Sequence, residues 1–178
     1  MRWLLALAVA LAGWSTPTFA EDTPQVRAPE TTFLEAGIFC IRRDGTKQVA
    51  PGTESGEINL LPAMPDLVSR TLVVPAALDV SFGAIWAHDR PGLTEVEIRV
   101  TRPRPDGTGQ RVDSWSSFTE AGAETASLWT LEYPSELATG TWTFEAWAED
   151  LMLWRVTFEV VPLAELPGAD QLCYAAIT

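Results

Sequence analysis

The sequence predicts an all-β protein, a single antiparallel β-sandwich of seven to nine short strands behind an N-terminal signal peptide. Three observations carry that prediction. Apolar residues recur at every second position in several short stretches, and past the first twenty residues no stretch shows a convincing helical period. Turn chemistry divides those stretches at roughly 8–15 residue spacing, as sandwiches require. Removing the first 20 of 178 residues leaves 158, enough for one domain with a genuine core. A closed barrel is the alternative arrangement of the same strands.

The leader is read from its three parts. Met1-Arg2 supplies a positive charge, Trp3 to Gly13 is apolar, and Thr18-Phe19-Ala20 places small residues before a cleavage point ahead of Glu21. The apolar run is too short for a spanning helix, which takes about 20 residues. Export to the periplasm or beyond is therefore expected, with cleavage near Ala20 and no membrane span afterwards.

Residues 21–32 are polar, hold Pro24 and Pro29, and read as a linker. The sandwich is expected over residues 33–162. "FLEAGIFCI" is its first strand, and "RRDGTKQVAPGTESGE" is a loop with Asp-Gly and Pro-Gly turns. "INLLPAMPDL" holds two prolines, which argue against a central strand, and Pro75 in "RTLVVPA" marks an edge or a sheet switch. In "LDVSFGAIWAHD", Phe82, Ala84 and Trp86 share a face, and Gly83 leaves room for close backbone approach. "TEVEIRVTRP" points Val96, Ile98 and Val100 inward, and a turn on Asp106-Gly107 follows it. "RVDSWSSFT" is a weaker strand, and "ASLWTLEYP" sets Trp129, Leu131 and Tyr133 inward. The last hairpin buries Trp142, Phe144, Ala146 and Ala148 on one strand, and Trp154, Val156, Phe158 and Val160 on the other. Residues 163–178 form a tail.

Cys40 and Cys173 are the two cysteines. In an exported chain an even count reads as a disulfide, here one that ties the tail to the first strand. On the chain-entropy model so long a loop contributes up to about 4–5 kcal/mol. The charge is −12, and −13 once Arg2 is removed with the leader. Such an acidic surface repels phosphate backbones and anionic headgroups, which disfavours nucleic acid and membrane-surface partners.

The stretch Arg70 to Val161 resembles a family of uncharacterised bacterial exported domains. The likeness is carried by "VVPAALDVSFGAIW", "RPRPDGTG" and "GTWTFEAW…LWRVTFEV". The resemblance implies an immunoglobulin-like fold and no activity.

No catalytic constellation is visible. The single histidine, His88, adjoins Asp89, but neighbours on a strand point to opposite faces, so it is expected at a strand end, half exposed. No nucleophile elbow is present. One histidine and two paired cysteines cannot close a zinc site, and the acidic turns at Asp106 and Glu149-Asp150 lack calcium-loop spacing. No metal and no cofactor are implied. Trp147 instead stands out, because its parity puts it outward with Thr143 and Glu145. Leu153 on the return strand has the same expected parity, so the two would meet near the hairpin tip as an apolar island. Trp115 joins them as a candidate because its strand is weakly patterned. The tail, through Leu172, Tyr174 and Ile177, would cover that island, or a partner would. The function expected is a non-catalytic module that binds a protein partner through Trp147, Leu153 and Trp115. A carbohydrate-binding module taking a glycan is the alternative, and a small hydrolase built on two carboxylates is the third reading.

Overall fold

The computed structural model describes residues 25–41, 45–169 and 172–175. The expected leader, Ile177 and the Tyr174 side chain lie outside the described residues. Twelve strands form: β1 (Gln25–Arg27), β2 (Thr31–Cys40), β3 (Lys47–Val49), β4 (Glu57–Asn59), β5 (Asp66–Ser69), β6 (Val73–Ala76), β7 (Ser81–His88), β8 (Leu93–Pro103), β9 (Gln110–Glu120), β10 (Thr125–Thr130), β11 (Gly140–Ala148) and β12 (Leu151–Pro162). A single helical turn, α1 (Leu172–Ala175), follows. Nine strands have four residues or more, and the three-residue pieces β1, β3 and β4 are those that alternation cannot reveal. β1 falls inside the stretch read as a linker, β3 lies inside the stretch read as a loop, and its hairpin partner β4 begins at the end of that loop and runs into "INLLPAMPDL".

Two sheets pack face to face. One runs β1-β12-β11-β8-β9, and β6 adds to β12 as the one parallel pair of these ladders. The other runs β10-β7-β2-β5. The short strands β3 and β4 pair only with each other. β7 is buried along its whole length because β2 and β10 flank it and both its faces are covered. Gly83 permits this closeness: a Cβ there would collide with the carbonyl oxygen of Ser127 on β10. The expected Asp106-Gly107 turn joins β8 to β9, with the Asp106 carboxylate accepting the Thr108 amide at 2.9 Å.

The inward residues named from alternation on β8, β11 and β12 are all buried. Phe82 is the hub of the core. It meets Trp142 at 5.4 Å, Phe144 at 5.4 Å and Phe158 at 5.2 Å, each edge to face. That is the geometry the ring quadrupoles favour. Tyr133 departs from its expectation: β10 ends at Thr130, the chain turns at Pro134–Glu136, and Tyr133 is exposed.

Cys40 and Cys173 are joined, with Cα atoms 5.3 Å apart. The bridge holds α1 against β2, where Leu172 packs on the core. Residues 172–175 of the tail therefore lie against the sheet that does not carry Trp147.

Candidate functional site: an aromatic cleft between two sheet edges

The three residues singled out by parity do not form one apolar island, although Trp115 and Trp147 both border one groove. The β11–β12 ladder pairs Ala146 with Trp154 and then Trp147 with Met152, so Leu153 is an extra residue in a β-bulge. The bulge turns Leu153 inward, where it is fully buried beside Trp154. Met152 takes the outward place expected of Leu153. Trp147 does face outward, but polar neighbours hold it. Its indole N–H donates to Glu145 at 3.1 Å, and the Arg99 guanidinium lies over its ring at 5.0 Å. Arg99, Glu145 and Arg155 share that outer face in one cross-strand row, with Arg155 Nε donating to Glu145 at 2.6 Å. The expected apolar island is a charge-braced tryptophan. Across a groove of about 580 Å³ it faces residues 48–52, the end of β3 and the start of the β3–β4 turn.

Trp115 lies on the other face. It pairs with the inward residue Ile98, so it points between the sheets and packs against the core. There it approaches Trp129 of β10, ring centroids 6.5 Å apart, and Trp129 in turn packs on Trp142 at 5.8 Å. β9 is the edge of one sheet and β10 the edge of the other, and residues 121–124 connect them. The sandwich is therefore open along this side. A cleft of about 700 Å³ runs there, with Trp115 and Trp129 in its wall and β4 with the following loop on its far side.

A buried ion network fixes one end of the cleft. Arg102 continues the inward parity of Val96, Ile98 and Val100 and is fully buried. Its Nε donates to Asp113 at 2.9 Å, and Nη2 reaches the Glu54 carboxylate. Its guanidinium sits 5.1 Å from the Trp129 ring and 5.5 Å from Trp142. Asp113 also accepts Arg111 Nε at 2.9 Å and the Glu54 amide at 2.8 Å. Ser114 donates its amide to the Gly52 carbonyl at 3.0 Å. Gly52 has to be glycine for that approach, since a Cβ would run into the Ser114 carbonyl. These contacts seat the β3–β4 hairpin on β9. At the other side Asn59 Nδ2 donates to Glu132 at 3.0 Å. Glu136 lines the cleft, and its Oε2 accepts the amides of Glu132 at 2.7 Å and Tyr133 at 2.9 Å. Burial pushes its carboxyl above the usual range despite those two donors.

His88 is fully buried, which corrects the half-exposed expectation. Its Nδ1 accepts the Arg90 amide at 3.1 Å, which leaves Nε2 to donate to Thr119 Oγ1 at 2.7 Å. Burial, reinforced by Arg90, lowers its pKa, while Asp89 acts the other way. Nε2 thus ties the β7 end to β9, and Nδ1 holds the start of the loop that follows β7. Among the described residues no group of three or more His, Cys, Asp or Glu is placed to hold a metal ion, and no helix is long and apolar enough to cross a membrane.

The signal for this site was present in the weak strand. On β9 the inward positions are Asp113, Trp115, Ser117 and Thr119, too polar to look like a core face. Asp113 answers Arg102 and Thr119 answers His88, so the polarity of one inward face matches that of another.

No curated protein matches the chain. Among solved structures, it is similar to an immunoglobulin-like protein from Pseudomonas aeruginosa, with 23% identity and a TM-score of 0.48, over 72% of this chain and 92% of that one. Residues 27–160, most of the chain, match the family described as Domain of unknown function (DUF3859), and the protein belongs to that family.

Proposed function

We propose that this immunoglobulin-like domain is a non-catalytic binding module of the exported compartment, and that its binding site is the cleft between β9 and β10. One observation carries the reading. Of the ten large apolar side chains exposed among the described residues, Leu60, Met64 and Tyr133 line this cleft, and Phe118 borders it from the outward face of β9. Scattered exposed hydrophobes need no explanation, but a set that converges on one concave, tryptophan-walled cleft has the composition of a binding site. The outer-face tryptophan is a weaker candidate, because Arg99 and Glu145 already satisfy it.

A protein partner fits this site better than a glycan platform does. The Trp115 and Trp129 planes are inclined at 48°, so they do not present a flat surface to a sugar ring. The test is a tryptophan-fluorescence titration of the mature protein with peptides, peptidoglycan fragments, common oligosaccharides and small aromatic compounds. Saturable binding by a member of the panel, lost in Met64→Ser and Phe118→Ser, supports the cleft. Saturable binding that survives both substitutions places the site elsewhere, and silence across the panel removes the reading.

A further inference from the structure

We propose that the occupant of this cleft is an extended polypeptide segment with alternating basic and apolar side chains, added as a strand to the free edge of β9. The proposal rests on the cleft being the binding site and adds the chemistry of what enters it.

The edge is the first argument. The Ser114 amide leaves β9 on the side away from β8, since it bonds the Gly52 carbonyl. The β8–β9 ladder runs without a register shift from Leu93↔Glu120 to Pro103↔Gln110. With a period of two, Ser116 and Phe118 must turn their amides and carbonyls the same way as Ser114. Among the described residues no other backbone group takes them. An edge of this kind is a template for strand addition. The hairpin tip at Gly52 occupies the edge at Ser114, so an added strand has room from there toward Glu120, about five residues.

The walls supply the second argument. Glu57, Glu124, Glu132 and Glu136 line the cleft, and among the described residues no lysine or arginine does. Lys47 bonds Glu57, and one oxygen of Glu136 holds two amides. Among the described residues Glu132 accepts a side-chain hydrogen bond from the neutral Asn59 amide alone, and Glu124 has no cationic partner. The cleft thus keeps carboxylate capacity that an incoming cation would use, in a chain whose net charge is −12. Alternate side chains of an added strand face opposite ways. The inward set meets Trp115 and the acids of the cleft, where cations fit, and the outward set lies beside Phe118, where apolar side chains fit.

Isothermal titration calorimetry of the mature protein tests this with short synthetic peptides. The probes are an alternating Lys-Val peptide, its Glu-Val counterpart, and the Lys-Val peptide N-methylated at every second amide. Oligosaccharides and a small aromatic compound serve as comparison ligands. The Lys-Val peptide is expected to bind, to weaken at least about tenfold when N-methylated, and to weaken with salt, while the Glu-Val peptide does not bind. Ser116→Pro removes an edge-facing donor without touching the β8 ladder and should abolish binding. Glu124→Lys changes an exposed side chain and should weaken it severalfold, so a folding defect in the proline variant does not decide the matter. Equal binding of the Glu-Val peptide, indifference to N-methylation, or full binding by both variants overturns the proposal. If every peptide is silent while another ligand saturates the wild type and not Trp115→Ala, the strand-addition proposal falls and the cleft stands. Silence from all ligands removes both.

Discussion

Around Phe82 the rings of Trp142, Phe144 and Phe158 close on one another edge to face, and each is fully buried. On the open side Trp115 and Trp129 stand farther apart, half-buried, beside a buried arginine and its carboxylates. Both regions use aromatic residues at inward parity. They differ in what lies beyond them: the first is enclosed by both sheets, whereas the second borders two sheet edges and a short hairpin. Inward parity on an edge strand therefore does not mean core. The same rings that hold the sandwich together at its centre become the wall of a cleft at its margin.

Substitutions should separate the two regions by size of effect. Phe82→Ala empties the hub of the core and should cost about 3–5 kcal/mol in urea unfolding. A loss under about 1 kcal/mol would mean the centre is no better packed than the margin. Asp113→Ala leaves Arg102 buried without its Nε partner and should cost about 3 kcal/mol, and it should also weaken ligand binding because the hairpin is seated on the same carboxylate. Binding unaffected by that change would separate the hairpin from the site.

The pH dependence of stability sharpens the comparison along β9. His88 is held neutral with a lowered pKa, so above the ordinary histidine value of about 6.5 its contribution is intact. As pH falls below that value the unfolded chain takes up a proton that the folded chain refuses. Stability should then drop by up to about 1.4 kcal/mol per pH unit until the folded pKa is reached. His88→Gln should flatten this slope in urea titrations between neutral and mildly acid pH, and an unchanged slope would assign it to other groups. The smallest effects belong to the surface and the margin. Trp147→Ala loses a cation–π contact and one hydrogen bond and should cost about 1 kcal/mol. Trp115→Ala should stay within about 2 kcal/mol, well below the hub variant.

Much of the architecture was legible in the sequence, because β8, β11 and the far half of β12 alternate cleanly and one face of each is buried. Leu153 was not, since one inserted residue reverses parity and nothing in "AEDLMLW" marks where the insertion falls. The β3–β4 hairpin was not, since three-residue polar strands carry no period. It is held by contacts from Gly52 and Glu54 to β9, distant in sequence. The cleft was half visible. The weak pattern of its strand marks Trp115 in the sequence, and that pattern is weak because the inward face is built to meet Arg102 and His88.

The most direct measurement is calorimetric titration of one ligand into Trp115→Ala and Trp147→Ala side by side, with the wild type as reference. Trp115→Ala is expected to lose the ligand and Trp147→Ala to keep wild-type affinity. Loss in Trp147→Ala with full binding in Trp115→Ala would contradict it, and would move the site to the outer face braced by Arg99 and Glu145.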